Sequence, residues 1–218
     1  MRYEQAISIL IKLVECRALL VTAVVSFRCR LDGSCCKKYW IPVIHLDLWR
    51  LYYYGGVADL EDYVTLVEGK GAEGTPKPLL FNGEYVYLAL AWRDDACIFL
   101  ASDGRCTVHP FKPLVCRFYP FVYHVRENGE VEIDVNEGAI GECPGLIMDD
   151  KPIDPEIVEY LKRLARARIL ELKLWDAFVE EWNERYGRSS SLSKLIELAL
   201  ERARRDFKEL VSKNLWVK

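Results

Sequence analysis

Seven of the eight cysteines lie between positions 29 and 143, most of them beside turn-forming residues: Cys29, Cys35, Cys36, Cys97, Cys106, Cys116 and Cys143. No other feature constrains the chain as strongly. A regular helix or strand fixes the directions of its side chains, whereas a loop can aim several thiolates at one point. Pro110, Pro113 and Pro120 stand among the last cysteines and rule out long regular elements there. Thiolates select zinc or iron–sulfur clusters over magnesium or calcium. A structural zinc ion takes four ligands, and so does a [4Fe–4S] cluster. Seven cysteines exceed one such site, so two metals, or one metal and a functional thiol, both remain open.

The competing reading is a disulfide scaffold with buried thiols. The odd count and the adjacent Cys35–Cys36 weigh against it. Compartment does not exclude it. One Gln, two Met and 29% charged residues suit a thermophilic source, and intracellular disulfides are common in hyperthermophiles. Cys16 lies in an apolar stretch outside the cluster and is expected to be a small buried hydrophobe.

The run Phe27-Arg28-Cys29-Arg30-Leu31-Asp32-Gly33-Ser34-Cys35-Cys36 resembles the CxxCxxCC box that opens the YkgJ-type cysteine-cluster family, a zinc- or iron-chelating domain. A second block is similar to the family's next signature. It runs from Cys97-Ile98-Phe99-Leu100 through Gly104-Arg105-Cys106 to Pro113-Leu114-Val115-Cys116-Arg117-Phe118-Tyr119-Pro120. Cys143-Pro144-Gly145 resembles the closing cysteine. The likeness spans roughly residues 27–146 and implies metal binding by the seven cysteines. Flagellin lysine methylases carry a related cluster, which adds methyl transfer to a protein substrate as an activity the likeness brings into view. Two positions depart from the pattern. Asp32 stands where the box has its second cysteine, and Lys112 where the family has Arg. Asp32 is therefore either a substitute carboxylate ligand or a turn residue beside Gly33.

The expected fold class is α+β. Residues 1–150 form an irregular cysteine-rich metal-binding domain with short hairpins and an N-terminal helix, and residues 151–218 a helical hairpin. The first helix starts near residue 3. Residues 43–44 read as a short strand, 47–54 as a helix stopped by Gly55-Gly56, and 58–67 as another helix. Asn82-Gly83 and Asn128-Gly129 predict hairpin turns within 79–92 and 123–135. Asp154-Pro155-Glu156 is a helix start, with an N-cap, a first-turn proline and an acid against the dipole. Leu161, Ala165, Ile169, Leu172, Val179, Trp182 and Tyr186 form its apolar face. Leu192, Leu195, Ile196, Ala199, Ala203, Phe207, Leu210 and Val211 form that of the next helix.

A net charge of −3 gives no footprint for nucleic acid. Lys12, Glu15 and Arg17 interrupt the most apolar stretch, so a soluble, cytoplasmic protein without membrane spans is expected. His109 follows Cys106 by three residues and reads as a hydrogen-bond partner of the backbone or of a group behind the ligands, or as a ligand, while His45 and His124 read as structural. Arg117 is placed to offset thiolate charge or to make a surface ion pair. Tyr52-Tyr53-Tyr54 reads as a core-facing aromatic run. Arg202, Arg204 and Arg205 read as a solvated face with a Glu201–Arg205 pair. No Gly-rich cofactor loop follows a strand. Three readings follow: a binding module with an iron–sulfur cluster or zinc, a methyl-transferring enzyme, or a structural zinc protein.

Overall fold

A computed structural model describes residues 25–69, 71, 74–149 and 151–218. The predicted first helix and Cys16 lie outside these residues. The described residues form a small α+β fold of short antiparallel strands and four helices. The helices are α1 (His45–Trp49), α2 (Leu114–Phe118), α3 (Pro155–Arg185) and α4 (Leu192–Ser212). The chain divides into two compact units, Leu31–Tyr119 with Arg163–Lys218, and the residues up to Arg30 with Pro120–Lys162.

In the larger unit, strands β2 (Val64–Val67), β3 (Leu79–Phe81) and β4 (Glu84–Leu90) form a sheet in the order β2-β4-β3. Asn82-Gly83 makes the predicted turn, with both residues at positive φ, as a tight hairpin requires. The predicted helix over 58–67 is not formed. Only Leu60–Asp62 makes a helical turn; Val64–Val67 pairs with Tyr87–Leu90 of β4. Val64, Thr65 and Val67 are β-branched and favour a pleated, half-buried surface, and the neighbouring strand decides the matter. Residues 41–43 run along the other side of β4, with the Val43 N–H donating to the Leu88 carbonyl at 2.9 Å.

Helix α3 blocks the outer edge of β3, which would otherwise invite pairing with another chain. The indoles of Trp175 and Trp182 donate to the carbonyls of Lys77 and Leu80 at 2.9 and 2.7 Å. The Leu80 N–H donates to the Asn183 side chain at 2.7 Å. Helix α3 begins at the predicted cap, where the Asp154 carboxylate accepts from the Glu156 N–H. Its buried stripe is Leu161, Leu164, Ala165, Arg168, Glu171, Trp175, Phe178, Val179 and Trp182. Ile169, Leu172 and Tyr186, expected inside, are only half-buried. In α4 the expected inward Val211 is exposed, and Asp206 is buried instead. Arg202 pairs with that Asp206 rather than standing free in solvent.

Helix α1 is wholly buried and continues through a wider turn, Arg50–Tyr54, that ends at Gly55. Tyr52 and Tyr53 are exposed, contrary to the core reading, while Tyr54 stacks on Phe111 and Trp216. His45 is buried, stacked on Trp175 and Phe178, and its Nε2 lies 2.9 Å from Asp206.

In the smaller unit β1 (Val25–Phe27) pairs with β9 (Leu146–Met148), and β7 (Phe121–Val125) with β8 (Val131–Val135). The second hairpin turns at Asn128-Gly129 as predicted, with the Arg126 N–H donating to the Glu130 carbonyl. The remaining strands, β5 (Trp92–Arg93) and β6 (Ala96–Cys97), form a two-stranded ladder in the larger unit. Among the described residues no helix is long and apolar enough to cross a membrane.

Candidate metal centre

Five cysteines belong to the larger unit, and each is aimed by a tight turn. Cys35 and Cys36 sit on a 3-10 turn, Ser34–Lys37, entered through Gly33 in the left-handed region at φ 71°. A Cβ on Gly33 would lie 2.4 Å from a Leu100 methyl and 2.8 Å from the Gly104 carbonyl oxygen. Only glycine permits that approach, and it lays the Cys35–Cys36 turn against the loop between Cys97 and Cys106. Cys97 ends β6 and opens a turn closed by the Leu100 N–H on its carbonyl at 2.9 Å. Cys106 opens a similar turn, closed by the His109 N–H at 3.2 Å. In both, the N–H two residues on, of Phe99 or Val108, points at the cysteine sulfur. Such donors favour the thiolate form. Cys116 lies in α2, whose first N–H, that of Leu114, donates to the Asp47 carboxylate at 3.1 Å.

The five sulfurs lie in one electrostatic neighbourhood. Cys36 feels Cys97 and Cys106, Cys116 feels Cys97 and Cys35, and Cys97 and Cys106 each feel Cys35. The Cys36 thiol hydrogen-bonds Cys35, which draws Cys35 down to about 6 and pushes Cys36 far up. Burial pushes the thiols of Cys97, Cys106 and Cys116 up as well. Lys112 opposes that rise at Cys106 and Cys116 and helps to lower Cys35.

Lys112 is thus the cation of the site. Arg117, the sequence candidate for that role, instead donates Nε to the Lys112 carbonyl at 3.1 Å and Nη1 to the Lys218 carbonyl. The sequence signal for Lys112 was its position, a basic residue before Pro113 where the family has Arg. His109 is exposed and its Nε2 faces the Lys112 ammonium at 3.4 Å. Burial, then Lys112 and Arg117, hold its imidazole below the usual range, in the neutral form. Asp32 accepts the Ser34 N–H at 3.1 Å and so makes the turn beside Gly33.

Cys29 and Cys143 belong to the smaller unit. The Arg28 N–H donates to the Gly145 carbonyl at 2.9 Å, continuing the β1–β9 ladder, and the Cys143 N–H donates to the Ala139 carbonyl at 2.9 Å. A Cβ on Gly145 would lie 2.2 Å from the Arg28 carbonyl oxygen, so the closing Cys-Pro-Gly needs its glycine. Arg28, exposed Cys29, Arg30, Pro144, Gly145 and Ile147 line an open hollow of about 400 Å³.

No disulfide joins any two of the seven cysteines from Cys29 to Cys143. Among the described residues no group of three or more His, Cys, Asp or Glu side chains stands in a ready-made metal-holding arrangement. The five thiols share a neighbourhood without being closed around a point. The donor set nonetheless fits a thiophilic cation. It offers sulfur almost alone, two turns point N–H groups at sulfur, and one lysine offsets the charge of several thiols.

A family model described as "CxxCxxCC: Putative zinc- or iron-chelating domain" matches residues 28–143, just over half of the chain. The chain belongs to this family. The match begins one residue before Cys29 and ends on Cys143, so it encloses all seven cysteines. The uncharacterized protein MJ0939 of Methanocaldococcus jannaschii is similar, at 25% identity over 184 residues covering 76% of this chain. This chain spans about three fifths (61%) of the length of that relative. No solved structure matches the chain.

Proposed function

We propose that the chain is a metal-binding module whose thiolate centre draws its ligands from Cys35, Cys36, Cys97, Cys106 and Cys116. The observation that carries the reading is the mutual electrostatic contact of five thiols from three separate segments. Burial disfavours their ionised forms, and a bound cation would supply the positive charge that one lysine does not. The Asp32 carboxylate accepts the Ser34 N–H through Oδ1, which supports reading it as the turn residue beside Gly33 rather than as a substitute ligand.

An iron–sulfur cluster suits the set better than a single zinc ion. Adjacent residues Cys35 and Cys36 both lie within electrostatic reach of Cys97 and Cys106, and neighbouring side chains are suited to a cluster that offers more than one iron atom. Neither imidazole nor carboxylate is required to complete it. Metal analysis and a UV–visible spectrum on anaerobically purified full-length protein test this. Brown protein absorbing broadly near ~400 nm, with iron and sulfide, is the expected result. Colourless protein with stoichiometric zinc would replace the cluster with zinc and keep the thiolate centre. Protein that neither holds nor takes up either metal would overturn the reading.

A further inference from the structure

The most heavily buried polar structure in the larger unit lies beside the thiols and none of it is a thiol. Asp47, Arg50, Arg168 and Glu171 are each at most 2% exposed, and their charges sum to zero. Asp47 is the hub. Its Oδ1 accepts from the Leu114 N–H at 3.1 Å and faces Arg50 Nη1 at 3.4 Å. Its Oδ2 accepts from the Ile44 N–H and Arg168 Nη1, both at 3.3 Å. Arg50 in turn grips Glu171 of α3 through two nitrogens, at 3.0 and 2.5 Å. It also donates to the Val217 carbonyl at 3.1 and 2.8 Å and lies over the Trp216 ring at 4.2 Å.

The Leu114 N–H is the one that matters for the metal centre. Helix α2 is a single short turn bearing Cys116, its N-terminal flank is proline, and Pro113 provides no side-chain cap. The carboxylate that receives its first N–H comes from Asp47, 67 residues away in the sequence. Asp47 also acts electrostatically on Cys116. A chain of charged contacts therefore runs from α3 through Glu171, Arg50 and Asp47 to the turn that carries a thiol ligand. Groups that orient a ligand in this indirect way often matter to affinity nearly as much as the ligand itself.

We propose that Asp47 is the positioning residue of the thiolate centre, pinning the turn that carries Cys116 through the Leu114 N–H, with Arg168 and Arg50 holding its carboxylate in place. The proposal rests on the reading of the cysteines as a metal centre.

The test titrates metal-free full-length protein anaerobically with Co²⁺ alone. It follows the thiolate-to-cobalt bands, competes for affinity with a chelator, and melts the helices by far-UV circular dichroism with and without Co²⁺. Asp47→Ala is expected to weaken Co²⁺ binding about 10- to 100-fold. It should also alter the cobalt ligand-field bands and shrink the upward shift that Co²⁺ gives to helix melting. Asp47→Asn keeps an oxygen for the Leu114 N–H but loses the charge, and should fall between it and the wild type. Trp182→Ala destabilises the same unit away from Leu114 and should bind Co²⁺ within about twofold of wild type. If Asp47→Ala does not fold, Glu171→Gln is read in the same way, with a several-fold loss expected. Wild-type affinity and bands in the Asp47 and Glu171 variants, or an equal loss in Trp182→Ala, would overturn the positioning role. A wild-type protein that takes up no Co²⁺, zinc or iron on thiolate would instead overturn the metal reading, and the positioning role with it.

Discussion

The turns that carry Cys35, Cys36, Cys97, Cys106 and Cys116 share one compact unit with α4 and with α3 from Arg163 onward, but are held by different forces. In α3–α4, order comes from burial. Trp175, Trp182, Leu195 and Ala199 are at most 1% exposed and pack with the sheet and α1 into a single core. In the turns at Ser34–Lys37 and residues 97–100 and 106–109, Cys97, Phe99 and Val108 reach that core, and the rest is ordered by single close contacts: a glycine against a carbonyl, a three-residue turn, an N–H at a sulfur. Burial gives a helix stability that needs no partner from outside. A turn cluster holding several half-buried thiols carries a cost that a cation removes. The two regions should therefore respond to opposite insults.

The largest expected effect is in the helices. Trp182→Ala removes a fully buried ring and its hydrogen bond to the Leu80 carbonyl. A loss of about 3–5 kcal/mol in denaturant unfolding is expected, with metal content per folded molecule unchanged. Loss of metal in step with stability would break the distinction between the regions.

Next is Gly33→Ala. The added methyl meets Leu100 and the Gly104 carbonyl, and the backbone must keep a positive φ. A loss of about 1–3 kcal/mol is expected, this time with a clear fall in metal loading and a nearly native helix signal. Normal loading would show that the Cys35–Cys36 turn does not need its seat on the Cys97–Cys106 loop.

Metal removal sharpens the same contrast without a mutation. Hydrogen exchange should rise most at residues 34–38, 97–107 and 114–118 after chelation, and least in α4. Uniform protection before and after would show that the metal does not organise the turns.

A pH effect is expected from His45 of α1, which packs on the α3 rings of Trp175 and Phe178. Burial holds its imidazole below the usual range, despite the opposing hydrogen bond with Asp206. The unfolded chain binds its proton near pH ~6.5, before the folded protein does. This contribution is therefore complete above about that pH. It is lost as pH falls towards the folded-state value, with a slope of at most ~1.4 kcal/mol per unit. His45→Gln can still donate to Asp206 without titrating. Unfolding curves at pH 7 and 5.5 should show a smaller acid loss in that variant than in the wild type.

The smallest effect should be at the Lys77–Glu180 pair, 2.9 Å apart but exposed to solvent. Lys77→Ala should leave the melting curve unchanged, because solvent and salt screen such pairs. A measurable shift would place β3 docking, as well as burial, among the forces holding α3.

What the sequence determined by itself was local. Asn82-Gly83 and Gly129 make their turns because tight hairpins need positive φ, and few residues supply it cheaply. Asp154 caps α3 because its carboxylate reaches the N–H two residues on. The helical pair follows from apolar spacing, and the cysteine family from a motif order that two departures, Asp32 and Lys112, did not obscure. What the tertiary structure decided depends on partners far along the chain. Val64–Val67 is a strand because β4 lies beside it. Arg168 and Glu171 fall on the inner stripe of α3, yet only the arrival of Asp47 and Arg50 makes them interior charges rather than a fault in an amphipathic pattern. Lys112, not Arg117, faces the thiols, because backbone carbonyls claim the Arg117 guanidinium. Turn and capping signals act over a few residues and depend little on distant partners. A buried charge acquires its role only from the groups that replace water around it.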